Sequence, residues 1–190
     1  MSPGSKFVVR PLVRTRWPEF VRLFGPRGAC GGCWCMTPRL SRAEYERWKG
    51  EGNKRKMQKL VEEGPPPGLL AYLGGKPVAW CAMAPRERFR RLANSRILAP
   101  VDDQPVWSIA CFFVAKEHRN RGISVRLLEG AAHYAKSRGA RIIEGYPVEP
   151  RKNPMPEVFA YTGIASAFRR VGFIEVARRS ATRPILRLEV

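Results

Sequence analysis

One short stretch constrains the fold of this chain more than any other, residues 111–124, which read Cys-Phe-Phe-Val-Ala-Lys-Glu-His-Arg-Asn-Arg-Gly-Ile-Ser. An apolar strand predicted over residues 106–114 runs into a polar turn, and a long amphipathic helix begins at Gly122. Backbone N–H groups in the first turn of a helix have no intrahelical partner, so they can bind an anion. Arg119 and Arg121 add positive charge at this turn. The stretch therefore predicts a site for a phosphate or a pyrophosphate.

The residues after this turn predict a strand–helix–strand unit. Apolar side chains form one stripe of the helix, at Val125, Leu127, Leu128, Ala131, Ala132 and Ala135. Gly139 supplies a stop, and the apolar run at residues 142–147 predicts the next strand. A crossover helix of this kind implies two parallel strands. Two common nucleotide-binding motifs, Gly-x-x-x-x-Gly-Lys-Ser/Thr and Gly-x-Gly-x-x-Gly, do not match this turn.

Other patterns predict further elements around this unit. The capping-box spacing from Ser41 to Glu44 predicts a helix that runs to about residue 49. Gly74 and Gly75 between two apolar runs predict a hairpin. The other predicted strands cover residues 6–11, 69–73, 77–84, 174–180 and 185–190. The other predicted helices cover residues 17–24, 54–63 and 164–171, and a basic segment covers residues 86–98.

The polar turn between the strand and the helix, residues 115–122, is called the phosphate turn below. It resembles the acetyl-CoA-binding segment of the GNAT superfamily of N-acetyltransferases. That family's pattern is Gln/Arg-x-x-Gly-x-Gly/Ala after a strand, and Arg119, Gly122 and Ser124 occupy its three positions. Ser124 departs from the pattern, although it is also small. Residues 168–173, Phe-Arg-Arg-Val-Gly-Phe, are similar to the family's helix, Gly-Phe, strand arrangement near the C-terminus. The resemblance covers residues 106–190 well and the N-terminal part in outline.

The resemblance implies an α/β fold in which a mixed, mostly antiparallel central sheet splays in the middle and is flanked by helices. The predicted order of elements agrees with this acetyltransferase fold. We expect residues 6–190 to form a single domain, because 190 residues suffice for one core and no low-complexity linker divides them. Residues 1–5 are expected to be a disordered lead-in.

The resemblance also implies where acetyl-CoA, the co-substrate, binds. The main chain of the central strand is expected to pair with the pantetheine arm, and a backbone N–H near its end to stabilise the oxyanion. The strand residues concerned are Phe112, Phe113 and Val114. The residues expected to hold the pyrophosphate are Arg119, Arg121, Gly122, Ile123 and Ser124. We also assign Tyr161 and Phe168 to the cofactor site.

The acid and base are less clear from the resemblance. A glutamate that some members carry on the central strand is Ser108 here, which cannot act alone as a base but can hold a water. A tyrosine that many members use as thiol acid is Phe168 here, so that role is vacant or has moved. Glu144 and Tyr146 are nearby alternatives, because they share one face of their strand. The catalytic candidates are therefore Ser108, Glu144 and Tyr146. Further candidates are Tyr161 and Glu149.

Three cysteines lie close together in Cys30-Gly31-Gly32-Cys33-Trp34-Cys35. A closed zinc site needs four ligands, and no second Cys-x-x-Cys or histidine pair supplies the fourth, so we expect no metal. The loop after the first helix borders the acceptor site in the acetyltransferase fold. We interpret Cys30, Cys33, Trp34 and Cys35 as lining the acceptor pocket, with tight packing of a glycine-rich loop as the alternative. The sequence of this loop and of residues 145–150 resembles that of a largely uncharacterised bacterial subgroup of the family. That subgroup therefore does not indicate which acceptor this chain uses.

The net charge of +19 is the main rival indication. A diphosphate-bearing cofactor needs a basic rim but not nineteen excess charges. The remaining positive charges have three explanations: they attract an acidic acceptor, they bind nucleic acid, or they form a solvated surface in a protein from an arginine-favouring genome. Because neither an aromatic-rich RNA-binding motif nor zinc-finger spacing accompanies the charge, we rank nucleic acid below the solvated surface.

Three functions remain candidates. The first is an acetyl-CoA-dependent N-acetyltransferase with a small-molecule or peptide amine as acceptor. The second is a catalytically weak acyl-CoA-binding module, and the third is a nucleic-acid-associated basic protein. The sequence shows no membrane span and no secretory pattern, so we expect a cytoplasmic protein without a membrane partner. Its five cysteines, an odd number, argue against a disulfide framework. A homodimer stays open.

Overall fold

A computed structural model describes residues 6–150 and 157–190, and a seven-stranded sheet lies at its centre. The strands are β1 (Phe7–Pro11), β2 (Gly68–Leu73), β3 (Lys76–Pro85), β4 (Trp107–Val114), β5 (Ile142–Gly145), β6 (Ile174–Arg178) and β7 (Pro184–Glu189). The described α-helices are α1 (Trp17–Phe24), α2 (Arg42–Arg47), α3 (Glu51–Glu63), α4 (Arg90–Ala93), α5 (Ile123–Ser137) and α6 (Ala165–Arg170). The strand order is β1-β2-β3-β4-β5-β7-β6, with β4 and β5 parallel and the other neighbours antiparallel. This confirms the predicted fold class.

The parallel pairing of β4 with β5 is short. It comprises three residue pairs and ends at Ile109↔Gly145. Beyond β5 the chain takes another direction, and Val148 forms an isolated bridge with Ile164. Among the described strands, the half of β4 that begins at Ala110 therefore has one neighbour, β3. The predicted opening in the middle of the sheet lies at this point.

A β-bulge at Ala110 marks the start of this unpaired half. The register with β3 shifts between Ile109 and Cys111 and leaves Ala110 without an opposite residue. A bulge adds one residue to a strand, so the alternation of side chains between the two faces also shifts. Ile109 and Phe112 consequently belong to the core on one face of the sheet, whereas Cys111 and Phe113 pack on the other.

Each face of the sheet carries its own core. One core combines the sheet with α1, α3, α4 and the cysteine loop, and its aromatic members include Phe20, Phe24, Trp34, Trp80 and Phe89. The other core combines the sheet with α5 and α6, and its main helical members are Leu127, Leu128, Ala131, Ala135 and Phe168. Two helical layers thus enclose one sheet, and each face of β4 contributes side chains to one of the two cores.

The helix predicted after the phosphate turn is present as α5. Gly122 precedes it with φ 72°, and Gly139 follows it with φ 81°. Both values lie in the left-handed region that glycine adopts without steric cost. Of the predicted apolar stripe, Leu127, Leu128, Ala131 and Ala135 are buried, whereas Val125 and Ala132 are half-buried. Ile123 is buried in addition.

Several boundaries differ from the prediction. The helix predicted over residues 54–63 begins at Glu51, because Gly50 turns the chain with φ 79° and Asn53 is anchored inside, where its Nδ2 donates to the carbonyl of Gly32 at 3.1 Å. The short helix α4 lies within the predicted basic segment. The capping box is confirmed, since the Glu44 N–H donates to the Ser41 hydroxyl at 3.2 Å and the Ser41 N–H to the Glu44 carboxylate at 2.9 Å.

Residues 1–5, predicted to be a disordered lead-in, lie outside the described part of the chain. Within the described part, none of the helices combines the length and apolar character that crossing a bilayer requires.

A buried ion-pair network ties the segment between β3 and β4 to the sheet. Glu144 on β5, whose side chain is 1 % exposed, pairs with Arg86 at 3.1 Å and with Arg187 on β7 at 2.8 Å. Arg187 also forms two bonds to Asp102, at 2.6 and 3.0 Å, which lower the pKa of that carboxyl. Arg86 further donates to the main-chain carbonyl of Leu98. Each buried charge therefore has a partner of opposite sign, as burial requires.

The contact between α5 and β1 leads to a test of packing. A Cβ at Gly130 would lie 2.4 Å from Cγ2 and 2.7 Å from Cβ of Val9, which the strand backbone fixes in place. We expect Gly130→Ala to lower the free energy of unfolding by about 1–2 kcal/mol, because overpacking outweighs the better helix propensity of alanine. Urea unfolding checks this, and adding Val9→Ala should restore much of the loss. A stabilised single variant would contradict this packing.

The Glu144 network leads to a second test. We expect Glu144→Gln to lower the free energy of unfolding by about 3–5 kcal/mol, because two buried guanidinium groups lose their shared carboxylate. The exposed pair Lys59–Glu63 provides a matched control, so Glu63→Gln should change stability by less than about 0.5 kcal/mol. Denaturant unfolding of both variants decides the matter. Equal, small effects would show that the network adds little.

Candidate active site

A cleft of about 970 Å³ runs along the unpaired half of β4. One wall consists of that strand and of the turn that leads into α5. The other wall consists of residues 160–164 and the face of α6 that follows them. The predicted site residues in its lining are Phe112, Phe113, Val114, Arg119, Gly122, Ile123, Ser124, Tyr161 and Cys30. The structure thus brings most of the predicted cofactor residues into one space.

The phosphate turn has the geometry of an anion site. Asn120 and Gly122 both have positive φ, at 57° and 72°, so the main chain reverses sharply just before α5. No described side chain caps the N-terminus of α5. The first amides of the helix, from Ile123 to Val125, have no intrahelical acceptor, and these residues line the cleft. The positive end of the helix dipole adds to their attraction for a negative group.

The two arginines of this turn have different positions. Arg119 folds back on the end of β4 and donates from Nε to the carbonyl of Val114 at 2.9 Å, so it connects the strand to the turn. Arg121 is exposed to solvent and does not belong to the described lining of the cleft. Its role as a pyrophosphate ligand stays a prediction.

Most residues of the second wall were not predicted from the sequence. Gly163, Ser166, Ala167 and Arg170 line it, with the spacing of three and four residues that places side chains on one helix face. Ser166 and Ala167 on α6 are small, so a ligand can approach the helix closely. A run of small residues at helical spacing before the Gly-Phe pair was the signal that could have found this wall. His118 and Asn120 were also missed.

Phe168 lies beneath the cleft rather than at its surface. It is fully buried and contacts Phe112 edge-to-face at 5.6 Å between ring centroids. A Cβ at Gly145 would lie 2.2 Å from this ring and one at Gly163 2.7 Å from it, so only glycine fits at either position. Phe168 therefore supports the floor of the cleft. Tyr161 differs, since it lines the cleft and is 38 % exposed.

The cysteine loop reaches the cleft at one end. Cys30 is exposed and, like Phe113, lines the cleft. Trp34 is buried, stacks on Phe24 at 5.9 Å and carries Lys54 over its ring. The other two thiols each have a polar partner: Cys33 Sγ lies 3.0 Å from the Thr37 hydroxyl, and Cys35 Sγ accepts the indole N–H of Trp80 on β3 at 3.0 Å. The assignment of these residues to the acceptor pocket stays a prediction, with Cys30 the member placed to fulfil it.

Cys35 has an unusual environment for a buried thiol. Burial raises its pKa, but hydrogen bonds from Cys111 and Trp80 and the charge of Arg39 outweigh this effect, and the pKa is lowered. The hydrogen bond to Cys35 and burial raise the pKa of Cys111.

Among the described residues, no group of three or more His, Cys, Asp or Glu side chains is arranged to hold a metal ion.

The three catalytic candidates lie together in one buried cluster. The Tyr146 hydroxyl is 2.8 Å from the Ser108 hydroxyl and donates to the Glu144 carboxylate at 2.7 Å. Arg86 contacts both Tyr146 and Glu144. Burial raises the pKa of Tyr146, and the nearby Glu144 charge raises it further. The period-two alternation thus correctly predicted a shared face.

This cluster is not part of the described cleft lining. Ser108, Glu144 and Tyr146 are each at most 1 % exposed, and the Glu144 carboxylate is occupied by two arginines. Ser108 sits on β4 two residues before the bulge at Ala110. The cluster is therefore placed to fix the strand that lines the cleft. Direct acid or base catalysis by these residues stays a prediction.

Comparison with known proteins places this geometry in a family. The chain matches the model of the acetyltransferase (GNAT) family over residues 34–153. No curated protein matches its sequence. The PaiA N-acetyltransferase of Thermoplasma acidophilum, in complex with coenzyme A, has a TM-score of 0.55 and 14 % identity over 97 % of this chain and 99 % of that one.

Two further solved structures have similar folds. A GNAT acetyltransferase from Listeria monocytogenes has a TM-score of 0.60 and 11 % identity over 100 % of this chain and 98 % of that one. The aminoglycoside N-acetyltransferase AAC(6′)-Iy, in complex with CoA, has a TM-score of 0.55 and 13 % identity over 95 % of both chains. At such identities the likeness concerns the fold. Because the family match spans more than half of its residues, the chain belongs to the acetyltransferase (GNAT) family.

Proposed function

We propose that this protein is an acyltransferase that moves an acetyl group from acetyl-CoA to a primary amine by direct attack. The observation that carries this proposal is the cleft, because it combines the uncapped N-terminus of α5 with the unpaired half of β4. Family membership supports it, and so does the presence of coenzyme A in two structures of similar fold.

Both parts of the cleft suit the chemistry of coenzyme A. The amides of Ile123, Ser124 and Val125 offer hydrogen bonds to the diphosphate, and the helix dipole favours its charge. The pantetheine arm contains two amides, which can pair with main-chain groups of β4 along the half where β3 is its one neighbour among the described strands. Ala167 on the opposite wall is small and leaves room for this arm. Together, these features support binding of an acyl-CoA.

The thioester then lies along the unpaired half of β4. Phe113, Ala29 and Cys30 also line the cleft, so we place the acceptor amine beside them. The amine nitrogen attacks the thioester carbonyl carbon, the carbon–sulfur bond breaks, and coenzyme A leaves as its thiol while the amine loses a proton. A main-chain N–H near Val114 is our candidate for stabilising the oxyanion.

For the buried cluster we propose a positioning role. Tyr146 and Ser108 are linked at 2.8 Å, and Ser108 belongs to the same strand as the cleft residues Phe112 and Phe113. Because Glu144 is held by two arginines, this cluster is rigid. The proton of the amine then leaves through water or through a group other than these three.

Two other functions are separated from this one by simple measurements. A module that binds acyl-CoA without catalysis would be stabilised by acetyl-CoA but would release no free thiol with any amine. A nucleic-acid-associated protein would not be stabilised by acetyl-CoA at all. A thermal shift with acetyl-CoA, followed by thiol release across a panel of small-molecule and peptide amines, distinguishes the three.

The phosphate turn leads to a test with a matched control. Gly122 and Gly139 flank the same helix, both have positive φ, and a Cβ at either would meet no atom within 4 Å. We expect Gly122→Glu to weaken acetyl-CoA binding at least about 100-fold, because the carboxylate repels the diphosphate at its amides. Gly139→Glu carries the same backbone strain and charge away from the cleft and should leave affinity unchanged. Calorimetric titration of both variants measures the difference.

If the two glycine variants bound acetyl-CoA equally well, the assigned diphosphate site would be wrong. If both lost binding together with their thermal transition, the loss would reflect folding, and Ser124→Asp would then replace Gly122→Glu. That residue lines the cleft at the second position of α5 without positive φ.

Tyr146 offers a test of positioning against direct catalysis. Removing its hydroxyl in Tyr146→Phe should lower kcat by less than about tenfold and leave the shape of the pH–rate profile unchanged, whereas loss of a general acid or base costs about 10²–10⁴-fold. Steady-state kinetics over a pH series provide the measurement. A hundredfold loss with a missing limb of the profile would establish Tyr146 as the acid or base instead.

A further inference from the structure

Arg170 stands at the end of the cleft-facing side of α6. It follows Ser166 and Ala167 along the same helix face, and all three line the cleft. The two small residues let a ligand lie close to the helix, and the guanidinium at its last residue is exposed to solvent. The amides of α5 lie in the other wall. The cleft therefore presents two positive sites, one on each wall.

The neighbouring arginine has a different role. Arg169 forms ion pairs with Glu149 and Glu175, and Arg178 binds the same two carboxylates. Arg170 has no carboxylate within ion-pair distance among the described residues. A guanidinium at the edge of a ligand cleft is suited to a phosphate, which its planar fork can bind with two hydrogen bonds.

We infer that Arg170 binds the 3′-phosphate of coenzyme A and thereby selects free CoA thioesters as acyl donors. This inference rests on the proposed function. Coenzyme A carries two anionic groups, the diphosphate and the ribose 3′-phosphate, and the amides of α5 account for the first. A carrier protein with a phosphopantetheine arm carries one phosphodiester and no ribose phosphate. Recognition at Arg170 therefore separates the two classes of donor.

The test compares coenzyme A with 3′-dephospho-coenzyme A, which lacks the phosphate in question. We expect the wild-type protein to bind coenzyme A about tenfold more tightly, the size of one charge-assisted contact. Arg170→Gln should bind coenzyme A as weakly as the wild type binds the dephospho form, and its affinity for the dephospho form should not change. Arg169→Gln, next to it on the same helix but turned to Glu149 and Glu175, should keep the wild-type preference.

Each other outcome has a distinct meaning. Binding of neither compound by the wild-type protein would overturn the proposed function itself. Equal binding of both compounds, or a preference that survives in Arg170→Gln, would overturn this inference and leave the proposed function intact. If Arg170→Gln does not fold, as judged by its thermal transition, Arg170→Lys replaces it. Because lysine keeps the charge but not the fork, its preference should fall below that of the wild type, and an unchanged preference would contradict the assignment.

Discussion

The structure depends on the short pairing between β4 and β5. Three residue pairs join the two strands, and the pairing ends at Ile109↔Gly145. Unpaired main-chain groups that are shielded from water cost free energy, so a strand that loses a neighbour must meet solvent or a ligand there. The cleft occupies this place. The bulge at Ala110 adds to the effect, because it places Phe112 on the same face as Ile109 and moves Phe113 to the other face.

Two sets of buried contacts keep the strands apart. On one face, Phe168 fills the angle between β4 and the chain beyond β5, and the missing side chains of Gly145 and Gly163 provide its space. On the other face, Glu144 is held between Arg86 and Arg187. A hydrophobic ring and an ion-pair network thus fix the opening from both sides. Binding to a preformed cleft costs less conformational entropy than binding that must open it.

Local patterns predicted much of this, because local chemistry determines it. Helix α5, its glycine boundaries and the Ser41 capping box depend on neighbouring residues, and all of them are confirmed. The second wall of the cleft depends on the distance between α6 and β4, which tertiary packing sets. The burial of Tyr146 was equally hidden, because alternation predicts that it shares a face with Glu144 but not that Arg86 covers that face. Non-local contacts decided what the patterns left open.

The large positive charge also has a structural explanation in part. Arginine side chains bind main-chain carbonyls at several places where chain segments meet, as Arg39 does at Pro67 and Arg179 at Ala99. Arg86 and Arg187 likewise connect a carboxylate to the segment before β4. The guanidinium fork can hold two acceptors at once, which the ammonium group of lysine does with less geometric control. Arginines that hold the fold together raise the net charge without serving a polyanion. Within the described lining of the cleft the arginines are Arg119 and Arg170, which lie on opposite walls.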